Sequence, residues 1–179
     1  MQTNGRLQFK PCTITQLNIL HQIAVQSYKE SYTQIWHDQG AAYLERFYDE
    51  STLASNLEDP SCTFYLMYQQ ESAIGFFKLR ENALAPYSTT DCLELNKIYI
   101  LQAFTGMGFG LEALRYIVEL AATRDRSILW LNVMEESKAR KFYEAHGFEK
   151  VKQVALEYPF IKEGLNVLCT YKLAIQNFR

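Results

Sequence analysis

The run Thr105-Gly106-Met107-Gly108-Phe109-Gly110 places three glycines at alternate positions just ahead of an apolar-periodic segment, Leu111, Leu114, Ile117, Val118 and Ala121. Successive backbone N–H groups at a helix start, unobstructed by side chains, can cradle a phosphate, and a pyrophosphate would suit such a loop best. The spacing is not the GxGxxG of a dinucleotide fingerprint, nor the Gly-Lys-Ser/Thr ending of a P-loop. Taken alone, the pattern fits equally well a tight strand-to-helix turn that binds nothing.

The segment feeding that loop has a break in its parity. In Leu93-Glu94-Leu95-Asn96-Lys97-Ile98-Tyr99-Ile100 the aliphatic residues occupy odd positions and then even ones. A regular strand would turn half of them outward. One extra residue near Asn96-Lys97, a β-bulge, would return all four to one face, although Tyr99 could instead continue the odd-numbered face.

The elements that must position these residues follow from periodicity. Leu7 to Lys10 reads as a short strand. Thr15 is a candidate cap for a helix burying Leu17, Leu20, Ile23, Ala24 and Ser27, and helical patterns recur at Ala41, Leu44, Phe47 and Tyr48 and from Leu53 to Leu57. Phe64–Tyr68 and Ala73–Leu79 read as a hairpin, Glu81–Asp91 as a loop, and Cys92–Ile100 and Ile128–Val133 as strands. Ala139, Phe142, Tyr143 and His146 share a helical face that Gly147 terminates, and Phe148–Leu156 and Asn166–Leu173 close the chain as strands. The order is β-α-α-α-β-β-β-α-β-α-β-β, a mixed sheet with helices packed on its faces.

At 179 residues, 48% of them hydrophobic, the chain is expected to form one domain, 1–179. A net charge of -2 with the signs interspersed leaves no footprint for nucleic acid or an anionic membrane. No apolar stretch reaches the length of a membrane span, and the start at Met1 lacks the build of a signal peptide, so a cytoplasmic location is expected. Cys12, Cys62, Cys92 and Cys169 are widely separated without a CxxC pair and read as buried thiols, with no metal site expected.

From about Phe64 onward the chain resembles the GNAT acetyltransferases. Leu95–Ile100 with Gln102 and Gly106–Leu111 looks like that family's acetyl-CoA motif, and Phe142-Tyr143-Glu144-Ala145-His146-Gly147-Phe148 looks like its second signature, FYxxxGF. The resemblance implies an α/β (α+β) fold: a mixed, mostly antiparallel central sheet with a splayed central strand pair and helices on both faces. It also implies that acetyl-CoA is the cosubstrate. The main chain of Ile98, Tyr99 and Ile100 would meet pantetheine, Thr105, Gly106, Met107, Gly108, Phe109, Gly110 and Leu111 would hold the pyrophosphate, and Asn132 would stand near the end of the neighbouring strand. Two residues depart from the family pattern. Thr105 stands where Gln or Arg is usual, and Glu136 where the second signature helix usually begins with Asn.

Transfer of acetyl to an amine needs a deprotonated nucleophile, a polarised carbonyl and a proton for the departing thiolate. By resemblance Tyr143 supplies that proton; the alternative is a core aromatic on an amphipathic helix. Glu94 is the candidate base, acting directly or through water, or else an outward strand glutamate. Tyr28, Tyr32 and Trp36, with His37 and Asp38, could cage an ammonium-bearing acceptor, or the aromatics could simply seal the core. The acceptor is expected to be a small-molecule or peptide amine, and the Glu94–Ile100 segment and FYxxxGF context look closest to the polyamine and diamine acetyltransferases. A homodimer using the Asn166–Leu173 strand is a further expectation, and a non-catalytic acyl-CoA sensor and a protein N-acetyltransferase are the alternatives.

Overall fold

Phe64-Tyr65-Leu66-Met67 and Phe76-Phe77 are unbroken apolar runs, as strands covered on both faces must be, and both lie well inside a seven-stranded sheet. The computed structural model describes residues 7–179; the reading of Met1 as lacking a signal peptide lies outside them. The strands are β1 (Gln8–Pro11), β2 (Cys62–Gln69), β3 (Ser72–Arg80), β4 (Cys92–Ile100), β5 (Ile128–Met134), β6 (Glu149–Ala155) and β7 (Val167–Ala174), in the spatial order β1-β2-β3-β4-β5-β7-β6. Every neighbouring pair is antiparallel except β4–β5. The mixed, mostly antiparallel sheet expected from the sequence is therefore present.

Five helices, α1 (Leu17–Tyr32), α2 (Ala41–Tyr48), α3 (Glu50–Glu58), α4 (Phe109–Thr123) and α5 (Ala139–Ala145), complete the architecture. Leu20, Ile23, Ala24 and Tyr28 of α1 pack with Phe64, Leu66 and Phe76 on one face of the sheet. Ala113, Leu114, Ile117, Val118 and Ala121 of α4 pack with Phe77, Leu79, Leu93, Leu95 and Leu129 on the other. Burying a side chain such as Leu114 or Ile117 contributes roughly 1.5–3 kcal/mol. Helix α4 starts two residues earlier than the periodicity suggested, because Gly108, at φ +85°, serves as its N-cap.

The parity break resolves as a bulge. Lys78 pairs with Lys97 and Leu79 with Leu95, which leaves Asn96 as the inserted residue. Leu93, Leu95, Ile98 and Ile100 all join the core beneath α4, while Tyr99 turns to the opposite face, against Tyr28, Tyr32 and Phe76. Beside the end of β4, strand β3 comes close at Gly75. A Cβ there would stand 2.4 Å from the Tyr99 carbonyl oxygen, so only hydrogen fits.

β4 and β5 pair only at Cys92–Ile128, Leu93–Leu129 and Glu94–Trp130 and then diverge. From Leu95 onward the β4 main chain has no β5 partner, which is the splay the resemblance implied. One expectation is corrected here. The Asn166–Leu173 segment forms β7, an interior strand between β5 and β6, and cannot offer a free edge to a second copy; the outer strand on that side is β6. Among the described residues, no helix is long and apolar enough to cross a membrane.

Candidate active site

Two cavities open at the splay. The first, about 730 Å³, is lined by Ile98, Tyr99 and Ile100 of β4, by Thr105 and Gly110 of the glycine loop, and by Phe142 and Tyr143 of α5. Gly106 and Gly108 both have positive φ, +76° and +85°, and nothing lies within 4 Å of where a side chain would begin. The loop backbone is therefore bare. The N–H groups of Phe109 and Gly110, the first two residues of α4, have no carbonyl one turn back to receive them, whereas Leu111 and Glu112 both donate to Gly108 O at 3.1 Å.

The loop residues do not all face one way. The Phe109 side chain is a core anchor, 3% exposed. Met107, Gly108, Phe109 and Leu111 also border a separate depression between β1 and α4. The Thr105 hydroxyl donates to Gln102 O at 2.8 Å, so its proton is committed to the loop. Bare backbone donors and an unpaired β4 main chain fit a phosphate-bearing acyl carrier such as acetyl-CoA, and the Thr105 side chain contributes chiefly to loop shape.

Tyr143 projects into this cleft from α5, against Phe142 and Phe148 at ring separations of 5.5 and 5.4 Å. Burial, and secondarily the Tyr32 phenol, push its pKa well above the ordinary phenol value, so the hydroxyl remains protonated at neutral pH. Ser137, which the sequence reading passed over, stands one residue before the Lys138 N-cap of α5, and its Oγ accepts from Ala139 N at 3.2 Å. Glu136 is exposed at the cleft rim beside Lys138.

The second cavity, about 520 Å³, lies across the gap, and the two share Tyr32, Ile35, Tyr99 and Met134. Tyr28, Tyr32 and Trp36 all line it. Tyr28 and Trp36 are 3% and 5% exposed, sealing the core as they form the wall. Trp36 Nε1 donates to Tyr28 Oη at 2.8 Å, and Tyr28 stacks on Tyr43 with centroids 4.6 Å apart. Asp38 is elsewhere. Its carboxylate accepts from Gly40 N and Ala42 N at 2.9 Å each and lines an outer depression beside α1, so no acid of this segment faces the cavity.

Glu94 does face it. The side chain is 4% exposed, with Oε2 accepting from Asn82 Nδ2 at 2.9 Å and Oε1 from Asn96 Nδ2 at 2.8 Å. Asn132 lines this cavity and not the first, and its Oδ1 accepts from Thr170 Oγ1 at 2.7 Å. The connection from β6 to β7 supplies Leu156, Tyr158 and Ile161 as a roof. It is stitched to the segment after α1 by His37 N to Phe160 O at 2.8 Å, Lys162 N to Ile35 O at 2.9 Å and Lys162 Nζ to Gln34 O at 2.8 Å.

Sequence reasoning missed the cavity's basic residues, Arg46, Lys78, Arg80 and Lys97, and its aromatics Phe47 and Tyr158. For Lys97 a signal existed: once Asn96 is the inserted residue, Lys97 falls on the same face as Glu94 and Tyr99. All four cysteines are unpaired, and none lines either cavity.

A sheet split at one parallel pair, a bare glycine loop at its mouth and a buried phenol over the gap define a class, that of the acyl-CoA-dependent transferases. Residues 21–148 match the acetyltransferase (GNAT) family, and the chain belongs to it. Acetyl-CoA is that family's acyl donor. An uncharacterized N-acetyltransferase in the pepI 3′ region of Lactobacillus delbrueckii subsp. lactis is 27% identical over 112 residues, 62% of this chain and 65% of that protein, so the match spans just under two thirds of that relative's length. The PaiA N-acetyltransferase of Thermoplasma acidophilum, solved with coenzyme A, superposes with a TM-score of 0.73 at 17% identity, over 93% of this chain and 98% of that one. A mutant of the spermidine N-acetyltransferase SpeG of Vibrio cholerae superposes with a TM-score of 0.69 at 18% identity, over 96% and 95% of the two chains. At such identities the structural likeness establishes the fold.

Proposed function

We propose that the protein is a single-domain N-acetyltransferase that moves acetyl from acetyl-CoA to a primary amine by direct attack, with both substrates bound together. The observation that carries this reading is the junction of the two cavities at Tyr32, Ile35, Tyr99 and Met134, on opposite sides of the β4–β5 gap. A donor in one and an acceptor in the other can meet there, and among the described residues no cysteine or histidine lines either cavity. The cysteines lie outside both cavities, which removes the obvious route through an acyl-enzyme.

In this scheme Ile98, Tyr99 and Ile100 offer main-chain groups to the pantetheine arm, with a β4 N–H near Ile98 polarising the thioester carbonyl, and the Gly106–Leu111 backbone holds the pyrophosphate. Glu94, held by Asn82 and Asn96, takes the proton from the attacking amine, directly or through water. The amine nitrogen bonds to the acetyl carbon, the carbon–sulfur bond breaks, and Tyr143 gives its hydroxyl proton to the departing thiolate. The acceptor cavity, about 520 Å³ and covered on one side by Leu156, Tyr158 and Ile161, has room for a small amine.

Calorimetric titration with acetyl-CoA, together with initial-rate thiol release over a matrix of donor and acceptor concentrations, tests the reading. Intersecting double-reciprocal lines are expected. Parallel lines would indicate an acyl-enzyme, and acetyl-CoA binding without release for any amine would favour an acyl-CoA sensor.

A further inference from the structure

Lys78 and Lys97 stand directly opposite each other on β3 and β4, on the face turned to the acceptor cavity. Like charges so placed repel, a cost that sheets ordinarily avoid. A nearby carboxylate is the usual remedy, yet among the described residues none of Arg46, Lys78, Arg80 and Lys97 forms an ion pair. Glu94 is the cavity's one carboxylate. It pairs in register with Arg80, but its two oxygens are engaged by Asn82 and Asn96.

The cations are held by neutral groups. Lys78, 7% exposed, donates to Asn56 Oδ1 at 2.6 Å, Lys97 donates to Tyr43 Oη at 3.0 Å, and Arg80 Nε is buried with no partner. Neutral acceptors satisfy hydrogen bonds without bringing an opposite full charge, although the Tyr48 and Tyr43 phenols favour the charged form of Lys97 and Asp59 lies within reach of the Arg80 charge. Burial, with the charges of Arg80 and Lys97, pushes the Lys78 ammonium below its ordinary value against the opposing pull of the Cys62 sulfur.

We infer that Lys78, Arg80 and Lys97 form an anion-recognising subsite, and that the acceptor is a small amine carrying an anionic oxyacid group, a carboxylate or a phosphate. This inference rests on the N-acetyltransferase reading above. The anionic end sits among the three cations, where the planar fork of Arg80 matches two oxygens of either group, and the amine reaches Glu94 and the gap at Tyr32 and Tyr99. The same charge opposes a polyamine, whose second ammonium would meet four basic side chains and a single carboxylate.

The test is thiol release with matched acceptors on the full chain. Glycine and glutamate are set against glycinamide, phosphoethanolamine against ethanolamine, and putrescine and spermidine are run beside them. The acid member of a pair is expected to have a kcat/KM about 10- to 100-fold higher, the worth of one or two charge-assisted hydrogen bonds. Lys97→Met and Arg80→Gln should shrink that ratio by raising KM for the acid, with acetyl-CoA affinity unchanged. Faster turnover of neutral or polycationic amines than of their acidic counterparts would overturn the subsite and leave the acetyltransferase standing. If acetyl-CoA binds but no amine is turned over, the acetyltransferase reading fails, and the subsite is judged by calorimetry with N-acetylglutamate and N-acetyl-phosphoethanolamine. Saturable binding lost in both variants supports it, and no binding of either compound overturns it.

Discussion

The two cavities meet at the same gap and are built in opposite ways. The donor cleft is lined almost wholly by three short stretches of chain, Glu30–Ile35, Ile98–Gly110 and Met134–Tyr143, and its chemistry is mostly main chain: bare N–H groups and an unpaired strand edge. The acceptor cavity draws on α1, α2, α3, β3, β4, β5 and the β6–β7 connection, and its chemistry is side chain: four cations, one carboxylate and a wall of aromatics. Main-chain recognition demands a fixed backbone shape and so leaves a short, recognisable pattern. Side-chain recognition assembled from distant segments leaves none.

That difference predicts how variants should behave, since damage to the cleft should be felt by every acceptor and damage to the cavity should depend on which acceptor is used. Tyr143→Phe should have the largest effect, lowering kcat by about 10²-fold or more for all acceptors with little change in acetyl-CoA affinity, as measured by thiol release and calorimetry. Turnover equal to wild type with every acceptor would remove Tyr143 from the chemistry. Gly108→Val should weaken acetyl-CoA binding about tenfold, again for all acceptors. It should also cost about 1–2 kcal/mol of stability, because Gly108 has φ +85°; calorimetry and thermal unfolding separate the two effects.

Trp36→Phe is expected to act on the cavity. It removes the donor to Tyr28 Oη and leaves a buried hydroxyl unpaired, a loss of about 1–3 kcal/mol visible as a lowered Tm, with a raised acceptor KM and an unchanged acetyl-CoA Kd. The smallest effect is a non-event. An ordinary phenol loses its proton near pH 10, but the Tyr143 value is raised, so the protonated form persists through that range. The kcat of the wild type should therefore show no fall centred near pH 10, and the tyrosinate absorbance difference between wild type and Tyr143→Phe should appear only at higher pH.

The fold was largely legible because its signals are local. The hairpin of β2 and β3, the amphipathic stripe of α4 and the stop at Gly147 each follow from a few neighbouring residues. The bulge was legible as well, since a shift from Leu93 and Leu95 to Ile98 and Ile100 has few other physical explanations. Tyr143 and Glu94 were singled out through resemblance; the structure buries both, Tyr143 at the first cavity and Glu94 at the second, where β4 still pairs with β5. What could not be read was the sign of the acceptor cavity. Asp38 looked available until its carboxylate was seen to cap the turn at Gly40, and three of the four cations that line the wall lie on β3 and α2, which no local pattern ties to Trp36. The placement of β7 inside the sheet is of the same kind, because strand order is set by pairings between residues far apart in the chain.

Asn96 makes the length of β4 itself a carrier of information. With one residue more than its partner requires, the strand presents Glu94, Lys97 and Tyr99 to the acceptor and Ile98 and Ile100 to the core beneath α4. Deleting Asn96 would restore a regular strand with the same two faces, whereas straightening the bulge with Asn96 retained would exchange those two sets beyond Leu95, setting aliphatics on the cavity face and a lysine in the core. The backbone conformation at Asn96, more than any one side chain, therefore decides which residues of β4 face the cavity.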